Sequence, residues 1–483
     1  MRHAIALAHT TRRQPMLALS AVLLVLGSVQ ASAYGHFHIP GTVPPFWVGI
    51  ATMGMGYVLS WRLLDRKEMS IIWFWGVAVA ARLVFLAAYP GDDIWRYLWE
   101  GAIQLQGFSP YEQAPSAPEL LAYRMGWWSQ INHPTVSSIY PPITQIGFRA
   151  IAAVAPSVLL FKVAFTAADV VVCWLLWQRF GTQALFYAWN PLVIYSFSGG
   201  GHYDSWFVLP LVMAWLFPFS KRNASQMSLP EEQQAGLGER DIESSHWFEA
   251  EARSIQGGFG RKSAPVIRAL FIGISIGVKW ISLPVLAFLS WRVLFRKDNA
   301  TWRSRWLVAL AVGAVGLLPL ALSALVYCDS VSCPLIPTTS TFVSHGRSAE
   351  LLPFIIGKFL PPSLESNRWF APPLALVTLV LLLRGRSLGQ FTLNYLIALM
   401  LLSPIIHAWY FTWMIPFAVE KRNWGAIWGS LSVFVYFVLL ERQALGIEDW
   451  FLSPTERVVL WLPFVLGCLW TVYRQRTKAS ACA

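Results

Sequence analysis

The sequence predicts an all-α, polytopic membrane protein, a single integral membrane domain over residues 1–483 with about 12–14 crossings. Three observations carry that expectation. The chain of 483 residues is 56% hydrophobic and only 13% charged, whereas a soluble domain is nearer a quarter charged. It holds 26 Trp and 15 Tyr, residues that gather where helices meet the membrane–water interface. Its 37 Lys and Arg outnumber its 25 Asp and Glu, and the basic residues fall in short segments between apolar runs. That is the positive-inside pattern, so the excess charge calls for no nucleic-acid partner. Membrane lipids are the expected surroundings.

Taken in order, the first apolar runs give crossings near 16–33, 44–61 and 70–89. The basic start and the Ala-Ser-Ala at 31–33 read equally well as a cleavable signal peptide or as an uncleaved first helix. Arg62, Arg66 and Lys67 mark the cytoplasmic side of the second and third crossings. Residues 91–157 are then external, rich in Pro, Gly and aromatics, with short helices expected on the membrane surface. Crossings follow near 158–178, 183–198 and 204–219, and the polar stretch 220–265 reads as a mobile cytoplasmic loop without chemistry.

The stretch 266–295 lies between two basic clusters that should both be cytoplasmic, Lys221, Arg222, Arg261 and Lys262 before it and Arg292, Arg296, Lys297, Arg303 and Arg305 after it. A single crossing would put one cluster outside. Two half-helices meeting near Lys279 satisfy the rule, and broken backbone at membrane depth is tolerated only where it lines a protein cavity. A crossing near 306–327 leads to a second external loop, 328–369. There Cys328 and Cys333 are read either as a small extracytoplasmic disulfide or as two free thiols. The last crossings fall near 371–385, 390–406, 408–420, 424–440 and 455–472, which keeps Arg384, Arg386, Lys421, Arg422, Arg474 and Arg476 inside. No internal repeat is visible, which counts against transporters built from inverted repeats.

On this topology the unusual polar groups share the outer face: Asp92, Asp93 and Arg96 in "YPGDDIWRYLWEG", His133 and Tyr140 in "INHPTVSSIYPP", His202 and Asp204 in "SGGGHYDSW", Lys279, and His407, Trp409 and Tyr410 in "SPIIHAWYFTW". Plainer readings stand beside each. One Asp can cap the helix that begins there, and either can form an i,i+4-type pair with Arg96. Trp95, Leu98 and Trp99 would then form a membrane-facing stripe, and His407 an interfacial anchor. Within crossings, Lys162 and Asp169 suit a structural ion pair, and Arg82 suits an Asp carboxylate or a lipid phosphate.

An external carboxylate, nearby cations and a groove between helices fit transfer of a sugar from a lipid phosphate. Lys279, Arg82 or Arg96 would stabilise the phosphate as its charge develops. A carboxylate would deprotonate the acceptor hydroxyl, and displacement would be a single inverting step.

The motifs "GDDIWRYLWEG", "QGFSPYEQAP", "INHPTVSSIYPP", "GHYDSW", Lys279-Trp280 and "HAWYFTWMIPF" span residues 91 to 417. Together they resemble the GT-C superfamily of polyprenyl-phosphate-sugar glycosyltransferases, nearest to glycosyltransferase family 87 and the polyprenol-phosphomannose-dependent mannosyltransferases. The resemblance implies a GT-C-like bundle in the cell inner (plasma) membrane with an extracytoplasmic active site. The implied donor is a polyprenyl-phosphate hexose, mannose-like, and the acceptor a glycan or glycolipid. By the same resemblance, Asp93 is favoured over Asp92 as catalytic base. The reading of the residues themselves makes Lys279, Arg96 and Arg82 the candidates for the donor phosphate, and Tyr111, His133, Tyr140, His202, Asp204, His407 and Tyr410 the candidates for substrate. Some GT-C enzymes place a divalent cation (Mg or Mn) at the acidic motif and others none, so Asp92 and Asp93 are also candidate metal ligands. Glu100, Tyr203 and Ala408 depart from the Asp, Asn and Pro often found there, which bears on sugar specificity more than on reaction type. The rival readings are a flippase for polyprenyl-linked glycans and a ligase using a lipid diphosphate donor.

Overall fold

The computed structural model describes residues 13–61, 69–218, 260–295, 301–328, 335, 341–447 and 450–481. Every regular element among them is helical. Five helices are long and apolar enough to cross a membrane: Pro15–Ala33, Val158–Ala188, Trp302–Ala324, Trp424–Ala444 and Pro454–Thr477. Shorter apolar helices, among them Ile71–Leu86, Ser205–Leu216 and Leu388–Leu402, pack between them. Several helices begin where a Ser or Thr side chain accepts an otherwise unpaired backbone N–H. Ser70 accepts from Trp73, Ser157 from Leu160, Thr301 from Ser304 and Ser387 from Gln390.

The centre of the bundle is not a regular helix. Every residue from 184 to 205 is buried, yet the expected crossing at 183–198 is a chain of one-turn pieces, Gly181–Ala184, Leu185–Ala188, Pro191–Ile194 and the π-turn Tyr195–Gly199. Pro191 interrupts the backbone, and Asn190 repairs the gap. Its side-chain oxygen accepts from the N–H groups of Leu192 and Val193, while its amide donates to Ser430 Oγ at 2.8 Å and Tyr57 Oη at 3.3 Å. Irregular backbone at this depth persists because protein supplies the partners that lipid cannot. The expected crossing at 408–420 is likewise broken, into Ala408–Trp413 and Ile415–Ala418. Outer helices do the opposite. Ala371–Arg384 buries no side chain, and Leu376, Leu379 and Leu383 point outward, an apolar face suited to lipid.

The buried charges pair differently from expectation. Asp169 does not meet Lys162. It accepts Arg82 Nε at 2.5 Å and Nη2 at 3.2 Å, and Arg82 also donates to the carbonyls of Ala78 and Ala188. Lys162 instead donates to the carbonyls of Phe85, Leu86 and Ala88 at 2.8–3.0 Å, satisfying the orphan acceptors at the end of the Ile71–Leu86 helix. Fully engaged at 2% exposure, Arg82 has no donor left for a phosphate.

The segment 91–157 carries the helices Asp93–Gln104 and Pro142–Val154 and the turns Pro118–Tyr123 and Trp128–Gln130. Leu98 and Trp99 are buried rather than membrane-facing, because the 103–131 segment folds back over Trp99, with Ile103, Leu120 and Ile131 packed against it. Most of the 220–265 loop and the basic residues Arg62, Arg66, Lys67, Lys221, Arg222, Arg296 and Lys297 lie outside the described residues. Cys328 is disulfide-bonded, and Cys333 also lies outside them.

Candidate active site

The acidic pair sits on a stretch of chain held at both ends. Lys162 grips the Ala88 carbonyl before it, and the Gly91 N–H donates to the Gly200 carbonyl at 2.9 Å. Capping does not occupy the carboxylates: Asp92, at the cap position of the Asp93–Gln104 helix, makes no side-chain cap bond. Both turn instead to Asn132, whose Nδ2 donates to Asp93 Oδ1 at 2.8 Å and to Asp92 Oδ2 at 3.2 Å. Asp93 Oδ2 also accepts Tyr97 Oη–H at 3.3 Å and lies 3.4 Å from His202 Nδ1. Beyond Asn132, the Asp92 carboxyl takes a hydrogen bond from its own backbone N–H and from no other described residue.

The two carboxyls therefore differ. Asp92 is exposed, yet protein crowds its carboxyl on enough sides for burial to act on it. That burial, and then the charge of Asp93, raises it above the usual carboxylate range. Burial acts on Asp93 too, but the His202 hydrogen bond and charge, His407 and Asn132 outweigh it and hold Asp93 below its usual value.

From Asp93 a wall of rings runs to Lys279. His202 stacks on Trp409 with centroids 3.7 Å apart, and His407 stacks on the same indole at 4.6 Å. Tyr410 stacks on Trp413 at 4.2 Å, and the Lys279 ammonium lies 4.5 Å from the Trp413 ring and 5.0 Å from Tyr410. Lys279 reaches this wall because the helix Gly260–Val278 stops before it. Its backbone is extended, and a 3-10 turn, Trp280–Ser282, leads into Leu283–Leu294. The paired half-helices expected from charge parity match this break. Lys279 forms an ion pair with Asp204 Oδ1, which also accepts Trp413 Nε1–H at 2.8 Å, while Asp204 Oδ2 is buried without a hydrogen-bond partner.

His202 owes its position to Gly201, whose φ of +72° favours glycine and where a Cβ would meet Ile94 Cδ1 at 2.6 Å. Gly201→Ala is expected to cost about 1–3 kcal/mol, read as a lowered melting midpoint in detergent with reduced transfer activity. His407 Nδ1 bonds Tyr436 Oη at 2.6 Å. Burial, reinforced by His202 and Lys279 against the opposing pull of Asp93, pushes its imidazole down to about 4. The preceding residue, Ile406, is pinned by Ser348 Oγ, and Ser348 is held by Arg457 from the C-terminal helix.

The fold thus brings together Asp92, Asp93, His202, Asp204, Lys279, His407 and Tyr410. It does not bring Arg82, whose partner is Asp169, or leave Arg96 available to a phosphate. Arg96 bonds Glu100 at 2.8 Å, rather than either Asp, and donates to the carbonyls of Asn132, His133 and Val136. Tyr111 spends its hydroxyl on the Tyr140 carbonyl. Tyr140 packs in a cluster with Tyr97, Phe148 and Tyr203, and His133 is exposed at a positive φ of 45°. Asn132, Tyr97, Trp413 and Tyr436 join the site without having been singled out. Asn132 adjoins His133 in a motif already noted, whereas nothing local in the sequence marks Tyr436.

A hard divalent cation draws its six or more ligands from oxygens, waters included. An N–H donor, Asn132 Nδ2, faces both carboxylates, and no third His, Cys, Asp or Glu joins them in a metal-sized group among the described residues. A separate apolar cavity of about 720 Å³, lined by Trp47, Met55, Val58, Leu431, Phe434 and Val459 among others, contains none of these groups.

A family model described as alpha-(1->6)-mannopyranosyltransferase, N-terminal domain (MptA_B family) matches residues 5–295, more than half of the chain. No curated protein and no solved structure gave a match. The matched segment carries Asp92, Asp93, Asn132, His202, Asp204 and Lys279. His407, Trp409, Tyr410, Trp413 and Tyr436 come from beyond it.

Proposed function

The chain belongs to the MptA_B family of alpha-(1->6)-mannopyranosyltransferases, and from that membership we propose a specific reaction. A multi-pass membrane glycosyltransferase of the GT-C type, it takes a sugar donor and a glycan acceptor. We infer that the donor is polyprenyl-phosphate mannose and that transfer occurs at the extracytoplasmic face of the inner membrane. The observation that supports this reading is the wall of rings that runs from His202, against Asp93 of the acidic pair, to the Lys279 ammonium.

In this reading Asp92 Oδ1 accepts the proton of the acceptor hydroxyl as its oxygen bonds to the anomeric carbon. The bond from that carbon to the phosphate oxygen breaks on the opposite face, inverting the centre. The departing phosphate gains charge, and Lys279, one of whose three N–H donors is taken by Asp204, stabilises it in a water-poor setting. Asp92 suits the base role better than Asp93. Its raised affinity for protons brings it nearer the operating pH, and its side chain is exposed with Asn132 as its one side-chain donor, whereas both oxygens of Asp93 are engaged by side chains.

The test is transfer of radiolabelled mannose from polyprenyl-phosphate mannose to oligomannoside acceptors by purified protein, with linkage analysis of the product. Transfer from a nucleotide-linked mannose but not from the lipid donor would refute the donor assignment. Lys279→Met is expected to lower kcat by about 10²–10³, with the melting midpoint recorded alongside. An unchanged kcat in a folded variant removes Lys279 from the phosphate site.

A further inference from the structure

We propose that Asn132 is the positioning residue that gives the two adjacent carboxylates different roles, one fixed anion and one working base. The proposal rests on the reading of Asp92 as base and deepens it.

Two neighbouring acids left alone would share one proton or repel each other. A cation between them would hold both ionised, and a third carboxylate would do the reverse. An uncharged amide favours each anion only through the N–H it donates, and adds no charge of its own. Asn132 Nδ2 has two N–H bonds and directs one to each acid, at 2.8 Å to Asp93 and 3.2 Å to Asp92. The shorter bond, with Tyr97 and His202 on the other oxygen, anchors Asp93. The longer one holds Asp92 by Oδ2 alone, on a side chain that stays exposed.

Asn132 can hold this position only if its loop is rigid, and the loop is clamped through its carbonyls. Arg96 Nη1 donates to the oxygens of Asn132 at 3.4 Å and His133 at 3.1 Å, and Nη2 to that of Val136 at 2.5 Å. Arg96 is fixed in turn by Glu100, whose second oxygen accepts from Gln145 at 2.5 Å and Ser138 at 3.1 Å. Gln104 bonds Gln145, and Tyr327 bonds Gln104. The buried network therefore ends at Asn132. That gives Arg96 and Glu100 a purpose that phosphate binding does not.

The titratable and charged groups around the pair are Arg96 and Tyr97 on its own helix, His133 and Tyr140 on the Asn132 loop, and Tyr195, His202, Tyr203 and Asp204 on the central segment. Lys279, His407, Tyr410 and Tyr436 complete the ring. None of them bridges the two acids as Asn132 does.

The test is the pH profile of kcat/KM for mannosyl transfer from polyprenyl-phosphate mannose. An N–H donated to a carboxylate favours the anion, so its loss raises the carboxyl's proton affinity and activity fails at higher pH on acidification. Asn132→Leu should move the acidic limb up by about one pH unit and lower kcat more than it raises donor KM. Asn132→Asp, nearly the same shape, should move it further, and this variant decides the matter if Asn132→Leu no longer melts cooperatively. An acidic limb unmoved in the folded variant overturns the proposal. If instead Asp92→Asn keeps wild-type kcat, the base reading itself fails, whatever Asn132 does.

Discussion

Asp92→Asn is expected to lower kcat by about 10²–10⁴, with donor KM within a few-fold and the melting midpoint unchanged. Asparagine keeps the shape and can still meet Asn132, but it cannot take a proton. The KM expectation follows from the geometry, since the donor phosphate is assigned to Lys279 at the other end of the ring wall. Asp93→Asn should behave differently. It leaves His202 Nδ1, already short of a well-formed hydrogen bond, without its carboxylate, and loosens the shorter Asn132 contact. Its loss should be smaller and should retain the acidic limb of the pH profile. The opposite pattern, Asp92→Asn active and Asp93→Asn dead, would exchange the two assignments.

The largest expected effect on stability lies away from the chemistry. Arg82→Leu and Asp169→Leu each strand a partner in the bundle interior, where both side chains are almost wholly shielded, at 2% and 0% exposure. Removing one member of such a pair costs about 3–5 kcal/mol, and with Arg82→Leu Cys173 and two backbone carbonyls lose their donor as well. The check is thermal unfolding in detergent, with a steep drop in midpoint for either single variant. The double variant Arg82→Met with Asp169→Leu should recover much of it, because no unpaired charge remains. Single variants that melt like the parent would show the pair to be dispensable.

Much of the bundle was legible because lipid imposes simple rules. Long apolar runs and basic clusters located the regular helices to within a few residues, and charge parity alone found the break at Lys279. The rules failed where protein, not lipid, surrounds the chain. Residues 184–205 and 408–418 look apolar enough to be helices, and at the first break Asn190, held by Ser430 and Tyr57, supplies backbone partners that a local reading does not show. Residue type singled out acids, histidines and a lysine that the fold brings together, since such groups are costly near a membrane. It misled on Arg82 and Arg96, because a guanidinium with several donors serves structure as readily as phosphate. Contacts between residues far apart in sequence, such as Asp169 with Arg82 or Tyr436 with His407, leave no local trace.

The family model ends at residue 295, while the rings facing the acids come from residues 407–436. The site is therefore assembled from both sides of that boundary. The matched segment supplies the acids, the amide that spans them and the lysine, and the remainder supplies the rings of His407, Trp409, Tyr410, Trp413 and Tyr436. The rings are expected to bear on which sugar is accepted, and the acids and lysine on whether transfer occurs at all. Swapping residues 301–481 between members of the family would then exchange preferences and leave the chemistry in place.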